Sequence, residues 1–237
     1  MILLFCICAS LGLEAKIDSL EAILNKNIQL PIVLELNKYY LRMGKIDEGN
    51  ALLQKYERYF PSEGRAAVHF TLGDNHLFGG EILAARDEYL KLVSLYPHSD
   101  IANDALERLY LIEATRKDTV LLKRLTNTLY LFYTEQLSAA EDSLKNLLKT
   151  KIGPYAYYYL ALVYREKDNI PLVLSTLKEL NTTFPDHTLH NASLFLAEVY
   201  LQTENKKEAQ KILEEMMVKE PTSIYGARAR EMLKENF

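Results

Sequence analysis

The chain has 237 residues, 49% of them hydrophobic, with a formal net charge of −4 and a pI near 5.8. That length supports one large domain or two small ones with a buried core, and the acidic balance excludes a general nucleic-acid binder, which needs a basic face. Only 9 glycines and 7 prolines punctuate it, too few for the turns of a strand-rich fold, so long helices are expected.

The chain begins MILLFCICASLGLEA, apolar through Leu13. A bilayer span needs roughly 20 residues. This run instead fits the apolar core of a secretory leader, with small residues at Ala9, Ser10, Gly12 and Ala15. Residues 1–15 are therefore expected to be a signal peptide, and the protein to be exported to the periplasm or cell envelope. The competing reading, suggested by the lack of Lys or Arg before the run, is an apolar first helix packed on the fold of a cytoplasmic protein. Cys6 and Cys8 are the only cysteines and follow Phe5 and Ile7, not the small residue that an acylated cysteine requires. Cleavage would leave a mature chain without thiols, excluding disulfides and thiolate metal sites. KIDSLEAILNK then reads as an amphipathic helix suited to covering one end of an array.

Downstream, proline closes four helical patterns: RYFPSEG, SLYPHSD, TTFPDHT and VKEPTSI. Pro61 and Pro97 are 36 residues apart, as are Pro185 and Pro221, and the 88 residues from Pro97 to Pro185 hold two such periods and 16 residues more, the length of one helix. The residues between agree. Leu196, Ala197, Tyr200, Ala209, Leu213 and Met216 precede Pro221 at the offsets at which Leu160, Ala161, Tyr164, Val173, Leu177 and Leu180 precede Pro185. Leu72, Gly73, His76, Ala85, Tyr89 and Leu92 repeat the set before Pro97, and Leu36, Asn37, Tyr40, Gly49, Leu53 and Tyr56 before Pro61. Spacings of three, four and seven mark one helical face, and the polar turns MGKID, GGEIL, EKDNI and TENKK separate two helices in each copy. Small residues at the eighth and twentieth positions let the helices cross closely while larger neighbours fill the surrounding space. Proline ends the second helix, and Ser62, Ser99 and Ser223 are placed to cap the next one.

This pattern resembles the tetratricopeptide repeat family over roughly four-fifths of the chain. The resemblance implies an all-α fold, a right-handed superhelical solenoid of antiparallel helix pairs over 16–237, with units at 30–63, 66–99, 121–154, 154–187 and 190–223. A further helix at 101–115 has no partner in the pattern and is expected to disturb the stacking. A cap helix is expected at 223–236. The unit at 121–154 is degenerate, with Asn127 and Thr128 at the usual Leu–Gly positions, and the family's early tryptophan is missing throughout, Val33, His69, Arg124, Tyr157 and Ser193 standing in its place. YPHSDIANDAL and EPTSIYGARAREML are similar in style to bacterial envelope members such as the Tol–Pal coordinating protein and the outer-membrane barrel-assembly lipoprotein.

The resemblance also implies a concave groove lined by first helices. Carried over position by position, it offers Leu125, Leu129, Phe132 and Tyr133 from the third unit, Tyr155, Tyr158, Leu162 and Arg165 from the fourth, and Leu194, Glu198, Leu201 and Gln202 from the fifth. The first two units offer a more charged set: Lys38, Arg42, Phe70, Asp74 and Phe78. An aromatic strip of this kind marks a binding surface, so the expected function is a non-catalytic scaffold that takes a protein or peptide partner, with no cofactor and no nucleic acid. An envelope complex and self-association through the terminal helices are partner readings. The alternative is an enzyme subunit or a glycan- or peptidoglycan-processing accessory protein working through Glu198 and Glu166. No phosphate-cradling loop is evident, LFGGE being an inter-helix turn. His69 and His76 lie seven apart without further ligands, His76 reading as a packed core residue. His187 and His190 flank a turn and are expected to be solvated.

Overall fold

A computed structural model describes the backbone of residues 2–237 and the side chains of residues 12–237. The expected leader, 1–15, and both cysteines therefore fall largely or wholly outside the described side chains. The described residues form helices joined by short turns, and none of these helices is long and apolar enough to cross a membrane. The chain divides into two compact units, Met1–Glu135 and Gln136–Phe237. The division falls in the turn inside the degenerate repeat, just after Glu135.

The first unit holds α1 (Ile2–Leu24), α2 (Leu30–Arg42), α3 (Ile46–Tyr56), α4 (Ser62–Phe78), α5 (Ile82–Leu95), α6 (Ala102–Thr115) and α7 (Thr119–Tyr133). The second holds α8 (Leu137–Lys145), α9 (Gly153–Glu166), α10 (Ile170–Thr183), α11 (His190–Gln202), α12 (Lys206–Lys219) and α13 (Ile224–Asn236). Helices α2 with α3, α4 with α5, α9 with α10 and α11 with α12 form packed pairs. In unit one the core joins Ile17 and Leu24 of α1 to Val33 and Leu36 of α2, Leu53 and Tyr56 of α3, and Val68 and Leu72 of α4. In unit two Leu194 and Ala197 of α11, Leu213 and Met216 of α12, and Tyr225 and Ala229 of α13 share one core.

The small residues sit where the helices cross. A Cβ on Gly73 would lie 2.4 Å from the ring of fully buried Tyr89, and Ala85, Ala161, Ala197 and Ala209 are completely buried. The first pair solves the same contact differently. Asn37, large and polar, occupies the eighth position, and a Cβ on Gly49 would lie 2.5 Å from its Oδ1, so glycine at the twentieth position makes room for the amide. Asn75 Nδ2 donates to Asn37 Oδ1 at 2.8 Å and to Asn50 Oδ1 at 2.9 Å, which offsets the cost of burying amides between two pairs.

Each first helix ends in the same turn. The residue two past the helix lies in the left-handed region, at Gly44 (φ 71°), Gly80 (81°), Glu135 (62°), Asp168 (55°) and Glu204 (59°). Where the next amide is described, it reaches back five residues: Lys45 to Tyr40, Glu81 to His76, Asn169 to Tyr164 and Asn205 to Tyr200, at 2.8–2.9 Å. This Schellman closure satisfies the last carbonyls and reverses the chain. Glycine adopts that conformation freely, whereas an L side chain is strained there. Asp168→Gly and Glu204→Gly are each expected to raise stability by about 0.5–1 kcal/mol, read as a higher thermal midpoint.

Helix starts follow two routes. Ser223 caps α13 by accepting from Gly226 N. Ser62 is instead the first residue of α4, with Pro61 before it and no side-chain cap. Ser99 donates to Glu63 at 2.7 Å. Asp118 and Asn169 cap α7 and α10 through Leu121 N and Leu172 N.

Helix α6 is not unpaired. It packs along α5 and sends Arg108 to α4. Arg108 Nε donates to Asp74 Oδ1 at 2.9 Å, and its Nη2 donates to the Tyr133 hydroxyl at 2.8 Å. Tyr89 donates its hydroxyl to the same Asp74 oxygen at 2.6 Å. Asp74 and Arg108 are each 5% exposed, and burial, then the Asp74 charge, pushes the Tyr89 hydroxyl well above its ordinary range.

Candidate partner-binding face

In unit one the first-helix face expected to be open is occupied by the chain itself. Lys38 and Arg42, one turn apart on α2, both donate to the Glu135 carboxylate. The Lys38 hydrogen bond, foremost, holds that carboxyl below the usual range. Tyr130 donates to the carbonyl of Leu41 at 2.8 Å. Phe78 packs on the rings of Tyr130 and Tyr133, and Arg108 lies 5.3 Å from the centre of the Phe70 ring. Lys38, Arg42, Phe70, Asp74 and Phe78 are thus brought together, but by internal contacts.

The third-unit residues divide accordingly. Leu125 and Leu129 are 0% exposed, a correction to their expected place on an open face: they are packing residues. Phe132 and Tyr133 are half-buried and in edge contact, 5.3 Å between ring centres, and Tyr133 is tied to the buried ion pair through Arg108.

Unit two keeps more of the expected face at its surface. On α9, Tyr155, Tyr158 and Leu162 are half-buried and Arg165 is exposed; on α11, Glu198 and Gln202 are exposed and Leu201 is half-buried. Leu194 is the second correction. It is 4% exposed, because α13 covers it and joins it to Leu213, Met216, Tyr225 and Ala229. The residue that unites the face is Phe195, one position on. The Arg165 guanidinium lies 4.5 Å from the centre of its ring, and Tyr158 meets that ring edge-on at 6.5 Å. Phe195 is 5% exposed, so it fixes Arg165 and Tyr158 from beneath. Arg165 and Phe195 are 30 residues apart in the sequence, and only the repeat register, which makes α9 and α11 successive first helices, could have paired them.

Around this face the polar groups are mutually engaged. Glu141 on α8 accepts from Lys145 at 2.6 Å, Lys167 at 2.5 Å and the Tyr164 hydroxyl at 3.2 Å. The hydrogen bonds from Lys145 and then Lys167 hold its carboxyl down to about 2. A depressed carboxylate stabilises the fold above the ordinary carboxylate pKa, and the contribution is lost as pH falls through the folded value. Unfolding midpoints in urea are therefore expected to drop as pH is lowered from about 4.5 to about 2, with Glu141→Gln removing that part of the slope.

The histidines depart from expectation. His69 is the buried one, with Nδ1 2.7 Å from Glu88 and Nε2 3.4 Å from Glu57, whereas His76 is half-buried beside Glu81. His187 is half-buried. Its Nε2 lies 2.7 Å from Asn181 Oδ1 and its Nδ1 accepts from Leu189 N at 3.2 Å, and burial, then the neighbouring His190, pushes its imidazole down.

Helix pairs closed by a repeated turn, nested through small residues and stacked on one another, define the class: an all-α tetratricopeptide-like repeat. No protein-family model and no curated protein matches the sequence. Among solved structures, the chain is similar to the TPR2AB-domain pHSP90 complex of yeast Sti1, at 13% identity over 94% of this chain and 90% of that one, TM-score 0.41. It is similar to PilW, a widely conserved type IV pilus biogenesis factor, at 14% identity over 87% and 99%, TM-score 0.41. It is also similar to MamA from Desulfovibrio magneticus RS-1, at 16% identity over 84% and 98%, TM-score 0.37.

Proposed function

We propose that the protein is a non-catalytic interaction scaffold whose second unit takes a partner protein's extended segment on the face formed by α9 and α11. The observation that carries this reading is the exposed Arg165 seated on the buried Phe195 ring beside half-buried Tyr158. An aromatic–arginine cluster already held in place by packing is the kind of anchor that carries most of an interface's energy. Leu162 and Leu201 supply apolar contact to either side, and Glu198 supplies an acceptor for a partner's N–H groups. The setting of the two acidic residues favours the scaffold over the enzymatic reading. Glu198 and Glu166 are exposed, so neither has the desolvated setting in which a carboxyl works as a general acid. The apolar start of the sequence supports export to the envelope as the setting in which the partner is met; determining the N-terminal residue of the mature protein from its native cells tests that part separately.

A photo-crosslinking residue at Leu162 or Leu201 in the full chain is expected to trap one discrete partner in the native cells, and one at Leu172, exposed on α10, is not. With that partner purified, Tyr158→Ala combined with Arg165→Ala should weaken binding at least tenfold, about 1.4 kcal/mol or more. Unchanged affinity in a folded double variant rejects the face.

A further inference from the structure

We propose a second, chemically different site in the first unit: a pocket for a small anionic amphiphile, an apolar chain or ring bearing a carboxylate. A cavity of about 590 Å³ opens between the start of α3, the turn joining α4 to α5, and one face of α7. That volume is typical of small-molecule sites, roughly 300–1,000 Å³. Its walls are Ile46, Phe78, Ile82, Leu122 and the ring of Tyr130. The polar atoms that could have made it a water site are largely spent elsewhere. The Tyr130 hydroxyl donates to Leu41 O, and the Thr126 hydroxyl donates to Lys123 O at 3.1 Å.

The charge of the pocket is one-sided. Of its eleven lining residues none is acidic and one, Lys123, is cationic. Lys123 has no acidic partner among the described residues, unlike the ammonium groups of Lys38, Lys91, Lys145 and Lys167. Asn127, four residues on and so on the same face of α7, adds an exposed amide to the rim. An apolar body in the cavity with an anionic head at Lys123 and Asn127 satisfies both halves of the site: burial of the walls supplies affinity, and the ammonium selects the sign of the head group.

The test uses the intact protein, octanoate and its uncharged analogue octanamide, followed by titration calorimetry. Octanoate is expected to bind saturably at one site and more tightly than octanamide. Lys123→Ala should weaken octanoate about tenfold while leaving octanamide within about twofold. Asn127→Trp, at an exposed rim position that tolerates bulk, should abolish binding of both and leave the far-ultraviolet circular dichroism unchanged. Absence of saturable octanoate binding, full binding by the tryptophan variant, or equal octanoate affinity with and without the Lys123 ammonium each overturns the assignment.

Discussion

Arg108→Met is expected to lower the stability of the protein by about 3–5 kcal/mol, because it strands a buried carboxylate. Asp74 is 5% exposed. Its remaining described donor would be the Tyr89 hydroxyl at 2.6 Å, and one neutral donor does not offset the desolvation of a charge. The substitution also takes the donor from Tyr133 and the cation from above the Phe70 ring, but those contacts contribute less, about 1 kcal/mol each. The dominant cost is thus the orphaned charge, which a second substitution can remove. Asp74→Leu combined with Arg108→Met should recover at least half of the loss, since replacing both members of a buried pair by apolar groups is often close to neutral. Urea unfolding followed by circular dichroism measures both. If the double variant is as unstable as the sum of the singles, the pair is not the source of the effect.

Gly226→Ala carries the second-largest expectation, and its sign is the informative part. In an unconstrained helix the change would stabilise by up to about 1 kcal/mol. Here the added Cβ would lie 2.0 Å from the carbonyl oxygen of Glu220 and 3.0 Å from its carbon. Those are backbone atoms, so no rotamer change relieves the overlap. The start of α13 must move away, taking Tyr225 and Ala229 from their seats against Leu194, Leu213 and Met216. A loss of about 3 kcal/mol is expected, with faster tryptic cleavage at Arg228 and Arg230. Ala227→Gly, one residue on at an exposed position, should cost no more than about 1 kcal/mol. Stabilisation by Gly226→Ala would show that α13 is not held there.

Much of the helical layout was legible because it is written in repetition: the spacing of Pro61, Pro97, Pro185 and Pro221, and small residues that recur where helices must touch. What periodicity could not show was how a face is finished. Leu194 and Leu201 stand on the same helix and were read alike, yet α13 buries the first and leaves the second half-exposed. Leu125 and Leu129 follow the groove register of their repeat, yet both are wholly buried. Arg108 was invisible for another reason. It lies in the helix outside the repeat, and a repeat pattern contains nothing about the partner of a residue that it does not include. The Asn37–Gly49 exchange was half legible: glycine fits the small-residue position, but only the buried amide beside it shows why even alanine would be too large there.

The ion pair between α4 and α6 also sets a timetable for synthesis. Arg108 follows Asp74 by 34 residues, which at about 5–20 residues per second is roughly 2–7 s of ribosome time. For the last 13 residues of that interval, after Leu95, the two leading hairpins are complete in sequence but hold an uncompensated carboxylate where their interior should close. An array of this kind is usually free to zip up one hairpin after another. Here that closure is expected to wait for a cation delivered from outside the repeating module, and the first segment able to fold stably on its own is expected to extend beyond the second hairpin to include α6.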